Sequence, residues 1–159
     1  MVSYKCNEYI NFLTIEECSY LIGGLDSDSF TMSEKENRLL FTSKINTPKW
    51  LNSKLNNIGI YNKIPVFVNK YETGCFFLKH RDRYELHEER YRTLLIKLSN
   101  NYEGGNLYID DTEYLKNIGD AVVFDSSLIH ELTKISSGVR YSLVCWLTED
   151  SFNKNKSII

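Results

Sequence analysis

Three residues of the chain could bind one metal ion together. His80 and Asp82 lie two positions apart in a stretch with the alternating pattern of a β-strand. Side chains at positions i and i+2 of a strand point to the same face, so both could reach one ion. His130, on a distant predicted strand, would add a second imidazole. The sequence therefore predicts a metal centre with two nitrogen ligands and one carboxylate ligand.

Arg140 lies on the predicted strand that follows His130. Its guanidinium could hold a carboxylate by two parallel hydrogen bonds, which would fix the orientation of the bound group. Two imidazoles and one carboxylate on one face of a metal, with open positions opposite, are the ligand set of non-haem Fe(II) oxygenases. Copper or zinc could use the same ligands, but neither explains Arg140 as well. We therefore predict an iron site with a carboxylate-binding arginine.

Two helices are predicted before this segment. Thr14 and Glu17 fit a capping box, and the helix that they begin ends at Gly23-Gly24. Thr47 followed by Pro48 predicts the start of a second helix, with Thr47 as its cap. Between the helices, residues 39–41 are predicted as a short strand. Both helices are amphipathic, so we expect them to support a sheet.

From Pro65 onward the hydrophobic pattern has period two. The predicted strands are 66–71, 76–82, 92–99, 106–109, 121–124, 130–135 and 140–147. Many short strands separated by glycine-containing turns are typical of a sandwich or barrel. We expect a mainly β fold with flanking N-terminal helices, in a single domain over residues 1–159. Helical support would occupy about 1–64, the barrel about 65–149 and a polar tail 150–159.

The alternation of each strand assigns its side chains to two faces. If His80 and Asp82 point into the barrel, Phe76 and Leu78 point there too and form apolar walls. On the strand over 92–99, the aliphatic face would meet the helices, which turns Lys97 into the barrel. That aliphatic face consists of Leu94, Ile96 and Leu98.

Composition excludes several classes of protein. The chain has 159 residues, 13% aromatic residues and only two prolines, which suits a packed domain and not a disordered one. A formal net charge of −2 provides no overall basic field for nucleic acid. The four cysteines form no C-x-x-C pair, and the N-terminus has no apolar signal core. We expect reduced thiols and a cytoplasmic protein without a membrane segment.

The stretch from about Pro65 to Leu147 resembles the 2-oxoglutarate- and Fe(II)-dependent oxygenases, especially the prolyl 4-hydroxylase-like branch. The matching motifs are Tyr71-x-x-Gly74-x-x-Phe77-x-x-His80-x-Asp82, Gly104-Gly105-x-Leu107, Gly119-Asp120-Ala121-Val122-Val123-Phe124, and His130 followed by Gly138-x-Arg140-Tyr141-Ser142-Leu143 and Trp146. Several spaced motifs in one order are specific, whereas His-x-Asp alone is not. The resemblance implies a double-stranded β-helix (jelly-roll) barrel.

The resemblance also implies roles for individual residues. His80, Asp82 and His130 look like the ligands of Fe(II), and Arg140 would bind the far carboxylate of the cosubstrate 2-oxoglutarate. Tyr71 matches a tyrosine that lines this pocket. Lys97 stands where many relatives have a tyrosine, and we expect its ammonium to join Arg140 at the carboxylate. O2 would be the second cosubstrate, and a need for ascorbate is left open.

Asn69 is a further pocket candidate, because its side chain faces the same way as that of Tyr71. His87 lies in a highly charged link between strands and is predicted to be a solvated loop residue, not a ligand.

The most direct functional hypothesis is a dioxygenase that hydroxylates a prolyl or other amino acid side chain in a peptide, a protein or a free amino acid. A nucleic-acid or nucleotide demethylase with the same iron chemistry is the alternative, and Asn69-x-Tyr71 resembles that branch as well. The second arginine of that branch, six residues after the first, is replaced here by Trp146. A third alternative is a catalytically silent jelly-roll that only binds. The sequence does not indicate an oligomeric state.

Overall fold

Thirteen strands and two α-helices form the part of the chain that the computed structural model describes, residues 5–61 and 63–152. The helices are α1 (Ile15–Gly23) and α2 (Lys49–Asn57), and short 3-10 helices lie at Ser27–Ser29 and Glu149–Phe152. The strands are β1 (Cys6–Tyr9), β2 (Thr31–Lys35), β3 (Arg38–Ile45), β4 (Val66–Tyr71), β5 (Phe76–His80), β6 (Arg92–Lys97), β7 (Tyr102–Gly104), β8 (Leu107–Ile109), β9 (Thr112–Tyr114), β10 (Ala121–Asp125), β11 (His130–Leu132), β12 (Ile135–Gly138) and β13 (Arg140–Leu147). Among these residues no helix has the length and apolar character needed to cross a membrane.

Most of the strands belong to one curled antiparallel sheet. Their order is β1-β10-β6-β13-β4-β3-β5-β11-β8-β9, with β2 paired to β3, while β7 and β12 form a separate pair. Strand β3 joins the two parts of the large sheet, since residues 41–45 pair with β4 whereas Arg38 and Leu39 pair with β5. The expectation of a mainly β fold with N-terminal helices is confirmed.

One core lies between the helices and one face of the sheet. Cys18 and Leu21 of α1 and Leu51 and Leu55 of α2 are buried in it. The aliphatic residues that were expected to meet the helices do so: Leu94 and Ile96 of β6 and Leu98 directly after it are each fully buried. Burying such apolar side chains is the main stabilising contribution to a fold of this kind. A second buried cluster, which includes Phe124, Ile109 and Ile135, fills the inside of the curl.

The capping box of α1 is present as predicted. The hydroxyl of Thr14 accepts a hydrogen bond from the backbone amide of Glu17, and the Glu17 carboxylate accepts one from the amide of Thr14. The prediction for α2 was wrong in detail, because its N-cap is Pro48 and no side chain caps the helix. Pro48 cannot donate or accept through a side chain, so this helix depends on the burial of Leu51 and Leu55.

The segment expected to be helical support also contributes three strands, β1, β2 and β3. The short strand expected at 39–41 is the centre of the eight-residue strand β3. Strand β1 pairs with β10, and its sequence Cys-Asn-Glu-Tyr has too little apolar periodicity to be recognised alone. Of the predicted tail, only residues 150–152 lie within the described part of the chain, and the extent of the single domain remains a prediction.

Gly119 brings the N-terminal segment against the sheet. Its φ of +88° lies in the left-handed region, and a Cβ there would overlap the carbonyl oxygen of Leu13. The amide of Leu13 donates to the Gly119 carbonyl at 3.0 Å. Next to it, the Asp120 carboxylate accepts from the amide of Asn11 at 2.9 Å. The Gly-Asp pair thus anchors the loop that precedes α1.

We expect Gly119→Ala to lower the free energy of unfolding more than Gly59→Ala. Gly59 has a similar φ of +84° but nothing near its missing Cβ, so its replacement should cost only about 1 kcal/mol of backbone strain. The overlap with Leu13 should add about 2 kcal/mol at Gly119. Urea unfolding of both variants measures the difference, and equal losses would show that Leu13 moves aside freely.

Candidate metal centre and its two pockets

Strands β5 and β11 bring two histidines together. His80 ends β5 and pairs directly with His130, the first residue of β11, and their ring centroids lie 4.1 Å apart. Asp82 follows two residues after His80, beyond the end of the strand. Its Oδ1 atom lies 3.4 Å from Nε2 of His80 and 3.4 Å from Nε2 of His130. The three possible ligand atoms are all within 4.8 Å of one another, which suits a single metal ion.

Backbone carbonyls orient both imidazoles. Nδ1 of His80 lies 2.7 Å from the carbonyl oxygen of Leu78, and Nδ1 of His130 lies 3.1 Å from that of Leu128. A carbonyl only accepts, so each Nδ1 must carry the proton. The Nε2 lone pairs are then available to a metal, as is usual for metal-binding histidines whose other nitrogen donates to a carbonyl.

The other oxygen of Asp82 is held by two donors. The Thr93 hydroxyl lies 2.7 Å from Oδ2, and the indole Nε1 of Trp146 donates to it at 3.2 Å. Thr93 itself contacts the hydroxyl of Ser126 at 2.9 Å. Because Oδ2 is occupied in this way, Oδ1 is the oxygen directed between the imidazoles. Thr93 and Ser126 are fully buried, so the orientation is fixed from within the fold.

The charges at this site depend on one another. Burial raises the pKa of Asp82, but hydrogen bonds and positive charge from His130 and His80 outweigh it and hold that pKa well below its usual value. Burial lowers the pKa of His130, but contact with Asp82 raises it above its usual value. The buried carboxylate therefore needs a positive charge beside it. A divalent metal bound by the two Nε2 atoms would supply that charge without protons, so the three side chains fit a metal ion.

A β-bulge changes which side chains of β5 face the metal ligands. On β11, Leu132 and His130 are two residues apart. Their partners on β5, Phe77 and His80, are three residues apart. The extra residue places Phe77 on the side of His80, and the two rings stack with centroids 3.6 Å apart. The expectation that Phe76 and Leu78 form the walls was wrong. Leu78 is 51% exposed, and Phe77 lines the pockets on both sides of the metal ligands.

Arg140 lies in a narrow pocket on one side of the three ligands. The side chain is only 3% exposed, and its Nε has no hydrogen-bond partner within residues 5–61 and 63–152. A buried, unpaired donor of a cation is costly, so this position suits an anion. Gly105 makes room for the arginine, because a Cβ there would lie 3.3 Å from Cδ of Arg140 and would overlap Ile135. Arg140 is thus positioned for a small anionic molecule that also reaches the metal ligands.

Tyr71 and Asn69 line the same pocket on strand β4. Tyr71 pairs across the sheet with Arg140, and its ring centroid lies 5.7 Å from Cζ of the arginine. Burial is the largest influence on the phenol and raises the pKa of Tyr71 to about 12, so the phenol stays neutral and can donate. Asn69 hydrogen-bonds to Tyr71 and lines the wider opening as well.

Lys97 shares the face of β6 that carries Thr93 and Leu95, the face directed toward the site. Its ammonium, however, donates to the carbonyl of Lys116 at 3.1 Å and lies 5.2 Å from the ring of Tyr102. It lines a neighbouring pocket with Gly105 and Leu107, whereas Arg140 does not line that pocket. Contact between Lys97 and the cosubstrate therefore stays a prediction.

A wide cleft opens on the other side of the metal ligands. Its volume is about 540 Å³. It is lined by the β2–β3 hairpin, by the loop after Asp82 and by the sheet, including Trp146. Arg90 stacks on Trp146, with Cζ 3.9 Å from the ring, and Arg38 lies over Phe77 at 5.5 Å. Burial lowers the pKa of Arg90 and the charge of Arg38 lowers it further, whereas Asp82 raises it.

Several of these residues were not found from the sequence. Thr93 and Trp146 look like ordinary strand residues, and their bonds to Asp82 join positions 11 and 64 residues apart. Arg38 lies between the two predicted helices, just before the short strand predicted at 39–41. For Trp146, its position in the family motif was the sequence signal that could have indicated a role at the site. His87 lies at the cleft and contacts Glu89, away from the ligand atoms.

Comparisons with known proteins agree with one another. The family model described as the 2OG-Fe(II) oxygenase superfamily matches residues 66–148. A PKHD-type hydroxylase of Cupriavidus pinatubonensis is 28% identical in an alignment of 123 positions that covers 69% of this chain and 52% of that protein. The solved prolyl-4-hydroxylase of Pseudomonas putida is 19% identical with a TM-score of 0.74, over 92% of this chain and 93% of that one. A prolyl hydroxylase of Trichoplax adhaerens, solved with a peptide fragment of the hypoxia inducible factor oxygen degradation domain, is 17% identical with a TM-score of 0.73, over 92% of this chain and 84% of that one.

The structural matches confirm the expected double-stranded β-helix fold. The chain spans about half the length of the PKHD-type relative. The family match covers the segment that carries His80, Asp82, His130 and Arg140.

We expect Thr93→Val to weaken metal binding by about tenfold or more, because loss of a hydrogen bond to a metal ligand typically has an effect of that size. Valine keeps the shape of threonine but removes the donor to Oδ2 of Asp82. Thr31→Val, at an exposed position of β2, is the matched control and should bind metal like the wild type. Competition with a fluorescent chelator for Mn(II) measures both affinities. Unchanged affinity in Thr93→Val would mean that Trp146 alone orients Asp82.

Proposed function

Because this chain belongs to the 2OG-Fe(II) oxygenase superfamily, we propose that it is a dioxygenase that hydroxylates an unactivated C–H bond. Its metal would be Fe(II), and its cosubstrates 2-oxoglutarate and O2. The iron and cosubstrate together supply an oxidation that is coupled to decarboxylation of 2-oxoglutarate to succinate. A requirement for ascorbate is left open.

The observation that carries this proposal is the position of the three ligands between two openings of different character. The narrow pocket holds the buried Arg140, whose Nε has no hydrogen-bond partner among the described residues, and the wide cleft reaches the same His80 and Asp82 from the other side. A cosubstrate with a distal carboxylate fits the narrow side, and a larger molecule fits the cleft. A ligand set used only for structure would need neither opening.

Each residue has a defined part in this proposal. The Nε2 atoms of His80 and His130 and Oδ1 of Asp82 would hold the iron. Arg140 would orient the distal carboxylate of 2-oxoglutarate by a bidentate pair, with the neutral Tyr71 phenol as a further donor. The apolar wall formed by Leu95, Leu107 and Val144 would exclude water from the narrow pocket.

We further propose that the prime substrate, the molecule that is hydroxylated, is an amino acid side chain, with proline in a peptide as the first candidate. The names of the similar proteins support this class, since they include prolyl hydroxylases and one structure with a peptide fragment. A cytoplasmic location accompanies this proposal as a prediction.

We expect His80→Ala to abolish succinate formation while the protein remains folded, because it removes one of the three metal ligands at the edge of the barrel. His87→Ala is the control, since it removes the histidine that is not near the ligand atoms, and it should keep the metal affinity of the wild type. Succinate release in the presence of Fe(II), 2-oxoglutarate and a set of proline peptides, together with a mass increase of one oxygen atom on a peptide, tests the function. Succinate formation by His80→Ala at the wild-type rate would contradict the ligand assignment.

We expect Arg140→Lys to weaken 2-oxoglutarate binding by about tenfold or more, because lysine keeps the charge but loses the two parallel hydrogen bonds. Metal affinity should not change, since Arg140 is not a ligand. Titration of the Mn(II)-loaded protein with 2-oxoglutarate under anaerobic conditions measures the effect. The same titration of Lys97→Met shows whether the Lys97 ammonium contributes, and equal affinity in that variant would leave its partner as the Lys116 carbonyl alone.

A further inference from the structure

The wide cleft is lined by three arginines and one lysine, of which Arg38 and Arg90 are half-buried whereas Arg81 and Lys35 are exposed. Arg38 donates through Nε to the Ser33 hydroxyl at 2.8 Å, and Arg90 makes a long contact of 3.5 Å to the carbonyl of Asp82. Within residues 5–61 and 63–152, neither arginine forms an ion pair with an acidic side chain. Asp82 is the only acidic residue among those that line the cleft.

Aromatic rings fix both arginines relative to the metal ligands. Arg38 lies over Phe77, and Phe77 stacks on His80. Arg90 lies over Trp146, and Trp146 donates to Asp82. A guanidinium whose face rests on a ring keeps its N–H edges free to bind an anion. Both side chains line the cleft together with His80 and Asp82, and the N–H groups that they do not give to Ser33 and to the Asp82 carbonyl can bind an anion there.

The charges of the loaded site leave these two arginines uncompensated. Ferrous iron carries two positive charges and Arg140 carries one. The Asp82 carboxylate contributes one negative charge and dianionic 2-oxoglutarate contributes two, so these groups cancel. Once iron is bound, Asp82 is also no longer available as a counter-charge for Arg90. The half-buried guanidiniums of Arg38 and Arg90 would then be stabilised by an anion that enters with the substrate.

The surroundings of the cleft favour a substrate with few negative charges. Five exposed glutamates lie on the two segments that form its rim, but none of them lines the cleft. They are Glu34, Glu36, Glu85, Glu88 and Glu89. A nucleic acid brings one charge at every phosphate and needs a continuous basic surface, which these glutamates interrupt even though Lys35 and Arg81 also line the cleft. A single carboxylate can enter between the glutamates and reach the two arginines.

We propose that Arg38 and Arg90 together bind a carboxylate of the prime substrate, so that the protein selects an amino acid or peptide with an acidic group close to the carbon that is oxidised. This inference rests on the proposed function and adds the substrate class. It assigns specificity to the β2–β3 hairpin and to the loop after Asp82.

Capped pentapeptides with proline at the centre, made as pairs that differ only by Glu or Gln at one flanking position, test the proposal. Each fluorescently labelled peptide is titrated with protein loaded with Mn(II) and 2-oxoglutarate under anaerobic conditions, and anisotropy reports its affinity. We expect at least one Glu peptide to bind about tenfold or more tightly than its Gln partner, the size expected for a charge-assisted contact. Arg38→Gln and Arg90→Gln should each remove that preference.

Lys44→Gln is the matched control, because it removes an exposed cation of β3 outside the cleft, and it should keep the preference. A separate 2-oxoglutarate titration shows that each variant is folded and loaded. Wild-type protein that fails to bind metal or 2-oxoglutarate would overturn the proposed function along with this inference. If both bind normally, equal affinity within every peptide pair, or no binding of any peptide, would overturn the inference alone. Tighter binding of a single-stranded oligonucleotide that depends on Arg38 and Arg90 would overturn it in favour of nucleic acid.

Discussion

The buried carboxylate of Asp82 is the constraint on which the rest of the site depends. A desolvated negative charge is tolerated only where positive charge and hydrogen-bond donors surround it. One oxygen faces the two imidazoles, and the other accepts from Thr93 and Trp146. This arrangement uses residues on or next to four strands, β5, β6, β11 and β13. The ligand set is therefore complete only when all four strands lie in the curled sheet.

The same arrangement gives the metal two accessible sides. The strands that hold the ligands separate the narrow pocket of Arg140 from the cleft of Arg38 and Arg90. Arg140 lines the narrow pocket and Arg38 and Arg90 line the cleft, and among the described residues none of the three forms an ion pair with an acidic side chain. The two openings therefore offer separate anion-binding positions on the two sides of the ligand set, as the proposed function requires for a cosubstrate and a substrate.

The candidate ligand set and most of the strands could be predicted from the sequence because both have short-range signatures. The His80-x-Asp82 spacing and the period-two pattern can be read within a few residues. Strand β1 could not be found in this way, because its partner β10 is more than a hundred residues away. The bulge between Phe77 and His80 was missed since one extra residue leaves no mark in the alternation. The roles of Thr93 and Trp146 follow from tertiary contacts alone.

Trp146 contacts both Asp82 and an arginine of the wide cleft, and this has a consequence for its fluorescence. The chain contains only two tryptophans. Trp50 lies on α2, where it makes an edge contact with Tyr20 in the helical layer. The indole N–H of Trp146 donates a hydrogen bond to Asp82, and the Arg90 guanidinium lies over its ring. We therefore expect its emission to respond to the charge on the carboxylate and to the position of the arginine, so this native fluorophore would report on a metal at Asp82 and on a molecule in the cleft.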